Sequence, residues 1–224
     1  MRVQGINFAT PWVTFKNAAQ NPESETVTRA LEELKKISFD NNDLIYMRSI
    51  GANPPFNSGL EAYEFIKNNN IDIRFAKLQF DDAHASWDFS RRAILINERY
   101  KNAVSFPEIL AISSAIFHES GHAKDGDVEN SVQEELDCLS LNVLGHKYHK
   151  KNYKDVFSGQ NSLLFSEGVS LYENLFYRFD PTKRDLKIRI AEKYGYLQLT
   201  SPGHTAGNFV NDVKEIAKRS AILN

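Results

Sequence analysis

Five consecutive residues, His118-Glu119-Ser120-Gly121-His122, set two imidazoles four positions apart with a carboxylate beside the first. On an α-helix, positions i and i+4 share one face. His118 and His122 can therefore each offer a nitrogen to a single Zn²⁺ at about 2.0–2.1 Å. Glu119 is one position on, turned away from such an ion, and can hold a water molecule and accept its proton. The chemistry expected of this HExxH spacing is hydrolysis assisted by a metal ion. The plain alternative is two helical histidines with a solvated glutamate between them, and the surrounding residues argue against it.

Those surroundings specify a helix. Ser105-Phe106-Pro107-Glu108 has the S-x-x-E form of a capping box with proline in the first turn. Ile109, Ile112 and Ile116 recur at helical spacing and should face a core. Ala111, Ser114 and Ala115 share the histidine face and are small, so another element can come close there. Lys124-Asp125-Gly126-Asp127 should end the helix.

Other elements must carry this helix. Met1–Pro22 has no clear period and reads as an arm. Glu23–Ser38 reads as an amphipathic helix with Val27, Ala30, Leu31, Leu34 and Ile37 on one stripe. Leu44–Ile50 reads as a strand, Gly51–Gly59 as a loop, and Leu60–Lys67 as a short helix. Ile71–Phe80 alternates as a strand should, Asp81–Arg92 is a polar connection holding His84 and Trp87, and Ala93–Asn97 is a second short strand. Ser131–Lys151 is a second strong helix with Val132, Leu136, Leu139 and Val143 buried. Its tail carries His146 and His149, which fit cations expected at a helix C-terminus. Asp125, Asp127 and Glu129 read as a solvated turn, because the full calcium-loop ligand series is missing. Helices are expected again at Ser162–Phe179, Leu186–Tyr194 and Phe209–Ile222.

Composition narrows the class. A chain of 224 residues, 42% hydrophobic and 25% charged, suits one globular unit. A net charge of −2 gives no reason to expect nucleic acid or a membrane surface as partner. There is no apolar run of transmembrane length and no recognisable signal peptide, so a cytoplasmic location is the default expectation. The single cysteine, Cys138, excludes an internal disulfide and reads as a packing residue.

A catalytic zinc needs three protein ligands and an open position, and the chain offers Glu167, Glu135 and Glu134 for the third. Glu134 has a competing task, because Ser131-Val132-Gln133-Glu134 is a second S-x-x-E box. Glu135 is free to point inward. A strand pair leading into HExxH resembles the upper lobe of zincin peptidases. Ser166-Glu167-Gly168-Val169-Ser170-Leu171-Tyr172-Glu173 resembles the stretch of aminopeptidase-type gluzincins whose first glutamate binds zinc. The metzincin extension is absent, with Val128 at its third-ligand position. The E-x-x-x-D pattern of short-spacing gluzincins is broken by Gln133, four residues before Asp137. The long span from His122 to Glu167 is similar to that of the anthrax lethal-factor-like peptidases and Pro-Pro endopeptidases. Those enzymes carry a transition-state tyrosine seven residues before the glutamate, where this chain has Gln160.

The resemblance covers about residues 94–178 and implies an α+β, zincin-like fold. In that fold a small twisted sheet from about Leu44 to Asn97 and the HExxH helix form an upper lobe (about 1–125), and a mostly helical lower lobe (about 126–224) completes a single metallopeptidase-like domain. It implies Zn²⁺ on His118, His122 and Glu167, with Glu135 and Glu134 as the alternatives, and Glu119 as general base. The donor to the developing oxyanion is sought among Tyr172, Tyr177, Tyr194, Tyr196 and His204, with Tyr194 and Tyr196 preferred. The expected partner is a peptide or protein substrate, lying as an added strand along a sheet edge within Asp81–Asn97. The rival expectation is the same fold serving as a binding or regulatory protein with little or no hydrolysis.

Overall fold

The computed structural model describes residues 22–79, 83–126, 130–157 and 190. Among them are five α-helices and one three-stranded mixed sheet, so the described part of the chain is α+β and mostly helical.

The first helix, α1 (Pro22–Lys36), puts Val27, Ala30, Leu31 and Leu34 into the core, as the i, i+3, i+4 stripe requires. The next element corrects the sequence reading. Leu44–Ile50 is not a strand; it belongs to α2 (Asn41–Ser49), which starts where Asp40 accepts a hydrogen bond from the Asn42 backbone N–H at 2.8 Å. Leu44, Met47 and Ile50 fall three apart and bury one face against the second long helix. α3 (Gly59–Asn68) is capped by Ser58 and buries Ala62 and Ile66.

The sheet follows in β1 (Asp72–Ala76), β2 (Ala85–Asp88) and β3 (Ala93–Asn97), in the order β1-β3-β2. β1 runs parallel to β3, with Ile73 opposite Ile94. β2 runs antiparallel to β3, with Trp87 opposite Ile94. Asp88 shapes the turn between β2 and β3, because its Oδ1 accepts from Ser90 Oγ at 2.7 Å and from the Arg91 backbone N–H at 3.0 Å. The sheet is thus shorter than expected, beginning at Asp72. The stretch read as a polar connection contains an edge strand.

α4 (Phe106–Asp125) carries the HExxH residues. Its capping box is complete: Ser105 accepts from the Glu108 backbone, and the Glu108 carboxylate returns to Ser105. It stops at Gly126, whose φ of 80° is the left-handed conformation that glycine adopts without penalty. Its residues from Ile109 to Ser113 and from Ala115 to His122 are all buried. One wall, with Ile109, Ile112, Ile116 and Phe117, joins α1, α3 and the sheet in a first core cluster. The opposite wall meets α5 (Val132–Asn152), where Ser114 Oγ donates to Asn142 Oδ1 at 3.3 Å. This is the close approach that the small residues on the histidine face allow. On its far side, α5 closes a second cluster with α2 through Val132, Leu136, Leu139 and Val143.

The tail of α5 gives a second correction. His146 and His149 are not solvated cations at a helix end; both are buried, and His149 is fully so. Burial, with His146 nearby adding to it, lowers His149 to about 3, so its imidazole is neutral. Among the described residues, no helix is long and apolar enough to cross a membrane.

Candidate metal centre

The helical spacing brings His118 and His122 together as expected, their Nε2 atoms 3.1 Å apart. The first turn of α5 adds Glu135. Its Oε1 lies 3.5 Å from His122 Nε2 and its Oε2 lies 3.6 Å from His118 Nε2. Two nitrogens about 2.0–2.1 Å from one ion, at the tetrahedral angle, stand about 3.3 Å apart. An oxygen ligand on the same ion falls at a similar distance from each nitrogen. The His118–His122 separation matches one edge of such a tetrahedron, and each Glu135 oxygen stands near one of the two nitrogens, at 3.5 and 3.6 Å, too far for an ordinary hydrogen bond. All three residues are buried, at 8%, 6% and 3% exposure. The donor set and its dimensions fit a metal ion, and the buried His118–His122–Glu135 group can hold one.

Each of the three is held from behind. His122 Nδ1 is 2.6 Å from Glu134 Oε1. Asn142 Nδ2 donates to His118 Nδ1 at 3.2 Å, its Oδ1 being turned to Ser114. Glu135 Oε1 accepts from Asn130 Nδ2 at 2.6 Å. The Glu134 carboxylate takes the Nδ1 proton of His122 and leaves its Nε2 lone pair facing inward, as a ligating imidazole needs. At His118 the Asn142 N–H occupies the Nδ1 lone pair, so ligation through Nε2 requires that carboxamide to turn its oxygen to the ring.

The site is short of positive charge. Burial opposes the charge on His122, yet Cys138, Glu134 and Glu135 beside it outweigh burial and hold the imidazole well above its usual range. The Cys138 thiol is itself pushed up to about 12 by burial, so it is neutral near pH 7. The negative charge facing His122 therefore comes from the two carboxylates. A proton on the imidazole answers that demand, and so does a divalent cation.

Glu119 faces a different neighbour. Asn97 N–H donates to His84 C=O at 2.9 Å. In an antiparallel pair the bonded residues alternate, so Ser86 and Asp88 turn their backbone groups to β3. Ala85 and Trp87 turn theirs to the other edge of β2, which pairs with no strand among the described residues. The Trp87 backbone N–H donates to the Glu119 carboxylate, which sets the HExxH helix against that edge. Burial, with Glu135 and Glu134 adding to it, outweighs the pull of His122 and the Trp87 N–H and raises Glu119 to about 7. A carboxyl poised near neutrality suits proton exchange with a reacting group.

Of the residues expected from sequence, the structure brings together His118, Glu119, His122 and Glu135. Glu167, Tyr172, Tyr177, Tyr194, Tyr196 and His204 lie outside the described residues. Glu134 departs from its expected role. Ser131 Oγ accepts from the Glu134 N–H at 3.0 Å, so the cap exists, but the Glu134 carboxylate goes to His122 instead of back to Ser131. Asn130, Asn142 and the Trp87 N–H were invisible to sequence reasoning, because an amide or a backbone group gives no signal before the fold is known. Comparisons with protein-family models, curated proteins and solved structures return no match.

Proposed function

We propose that this chain is a zinc-dependent metallopeptidase of zincin type, with His118, His122 and Glu135 as the metal ligands and Glu119 as the general base. The observation that carries this reading is the convergence of three buried ligand types, with His118 Nε2 and His122 Nε2 3.1 Å apart and Glu135 Oε1 and Oε2 at 3.5 Å from His122 Nε2 and 3.6 Å from His118 Nε2, beside a buried glutamate at position two of HExxH. Three protein ligands, two imidazoles and a carboxylate, are the set of a hydrolytic zinc site rather than a structural one. Zinc held there supplies Lewis acidity toward water and toward a carbonyl oxygen.

The chain's own residues do the rest. Glu119 Oε accepts a proton from water and later returns it to the departing amine. Ala85 with its N–H and C=O, and Trp87 with its C=O, face the edge of β2 that pairs with no strand among the described residues, a template on which an extended peptide can add a strand. This edge lies within the Asp81–Asn97 stretch expected from sequence. A peptide bound there would run alongside Glu119, because Trp87 touches that carboxylate. Glu135 replaces Glu167 as the preferred third ligand in this reading, on the strength of its distances. Tyr194 and Tyr196 are kept as the proposed oxyanion donors on sequence grounds alone.

The test is metal analysis of protein purified without added zinc, followed by cleavage of a peptide library by wild type and Glu119→Gln. Wild type is expected to hold one zinc and to cleave. Glu119→Gln is expected to keep the zinc and lose activity by about 10²–10⁴-fold, because an amide is isosteric but cannot take the proton. Stoichiometric zinc without cleavage by the wild type would transfer the site to a binding or regulatory role. Variant activity within about tenfold of wild type would remove Glu119 from the chemistry.

A further inference from the structure

We propose that Glu134 is a positioning residue for the metal, acting through His122 by holding it in the Nδ1–H tautomer with Nε2 turned toward His118 and Glu135. The inference rests on the zinc reading above and assigns a task to a residue that touches neither metal nor substrate.

Two consecutive residues of α5 address the two nitrogens of one ring. Glu134 Oε1 is 2.6 Å from His122 Nδ1, and Glu135 Oε1 is 3.5 Å from His122 Nε2. Both members of the closer pair are about nine-tenths buried, the His122 side chain 7% exposed and that of Glu134 9%. The hydrogen bond at one nitrogen decides which nitrogen keeps its lone pair. A carboxylate in that role also makes the ligating nitrogen more basic.

Local structure shows what Glu134 gives up for this contact. At the start of α4, Ser105 and Glu108 complete a reciprocal box, with Glu108 Oε2 returning to the Ser105 N–H at 3.3 Å. At the start of α5, Ser131 stands in the same register to Glu134, yet only the serine half of the box forms. The same sequence pattern thus has two outcomes. The difference is His122, which reaches the first turn of α5 because α4 and α5 cross there.

The experiment measures zinc affinity by competition with a chromogenic chelator, together with the absorption spectrum of the cobalt-substituted protein. Glu134→Ala is expected to bind zinc about 10–100-fold more weakly and to shift the cobalt bands. Glu134→Gln should lose less, since its amide oxygen still accepts the Nδ1 proton. It also preserves the measurement if the alanine variant fails to fold. Ser131→Ala removes the cap of the same turn and leaves the Glu134 carboxylate, so it should lower stability while affinity stays within about threefold. Wild-type affinity and an unchanged cobalt spectrum in both Glu134 variants would overturn the positioning role and leave the zinc reading standing. A wild-type protein that takes up no zinc at all would overturn both.

Discussion

Gly121 and Cys138 meet where α4 crosses α5, so closely that a Cβ atom on Gly121 would lie 2.6 Å from Cys138 Sγ. The glycine inside HExxH therefore sets how near the Glu134–Glu135 turn can come to His118 and His122. Gly121→Ala gains about 1 kcal/mol in helix propensity and loses about 1–3 kcal/mol to overpacking at a fully buried thiol. A net loss of about 1 kcal/mol follows. In a Cys138→Ala background the clash is gone, because the other neighbours, Leu141 Cδ1 and Pro55 Cγ, are both 3.4 Å away. There Gly121→Ala should be neutral or stabilising, a coupling of about 1–2 kcal/mol. Urea denaturation of the four metal-free proteins measures it, and additive effects would show that the crossing is not set by this pair.

Sequence revealed what was local. α4 is legible because its start, its stop and its chemistry all lie within the residues that form it: the Ser105 box, Gly126, and two histidines at i and i+4. Leu44–Ile50 reads as a strand on its apolar content, but Asp40 and the partner surface on α5 decide the matter, and that surface is almost a hundred positions away. β2, Ala-Ser-Trp-Asp, has almost no strand character of its own and forms because β3 offers it a ladder. Capping logic assigned Glu134 to Ser131 because it sees only one helix. His122, on another helix, took the carboxylate instead. In each misreading a tertiary partner overrode a local rule.

His149 links the fold to pH. It is fully buried on α5, and neither ring nitrogen has a hydrogen-bond partner among the described residues. His146 lies one turn earlier on the same helix. Tyr153, whose hydroxyl donates to Glu33 at 2.7 Å, packs against the His149 ring. The unfolded chain protonates a histidine near 6.5, whereas burial keeps folded His149 neutral down to about 3. Between those values the unfolded state binds the extra proton. The contribution of His149 to stability is thus intact above about 6.5 and falls with pH through that window, at up to about 1.4 kcal/mol per pH unit. His149→Leu removes a buried, unsatisfied polar ring, so it should be neutral or stabilising at pH 8 and should flatten the acid limb. Denaturation at a series of pH values, wild type against variant, gives the two slopes. Equal slopes would mean that His149 does not set the acid limb.

The third ligand separates two readings of one chain. Glu167 is favoured by its Glu-Gly-x-Ser-x-Tyr surroundings, and Glu135 by distance: 3.5 and 3.6 Å to the two Nε2 atoms, with Asn130 holding it at 2.6 Å. If Glu135 binds the ion, Glu135→Ala leaves two imidazoles facing a void and should empty the site on dialysis. Glu135→Gln keeps the size of the side chain and a partner for Asn130 but removes the charge, so it should still lose zinc. That outcome would show that charge, not packing, holds the ion. Glu167→Ala should then retain stoichiometric zinc, with affinity changed by no more than about 10–100-fold if the residue supports a ligand indirectly. The reverse pattern, zinc kept by Glu135→Ala and lost by Glu167→Ala, would return the chain to the long-span arrangement, with Glu135 demoted to a buried carboxylate balancing the charge of His122.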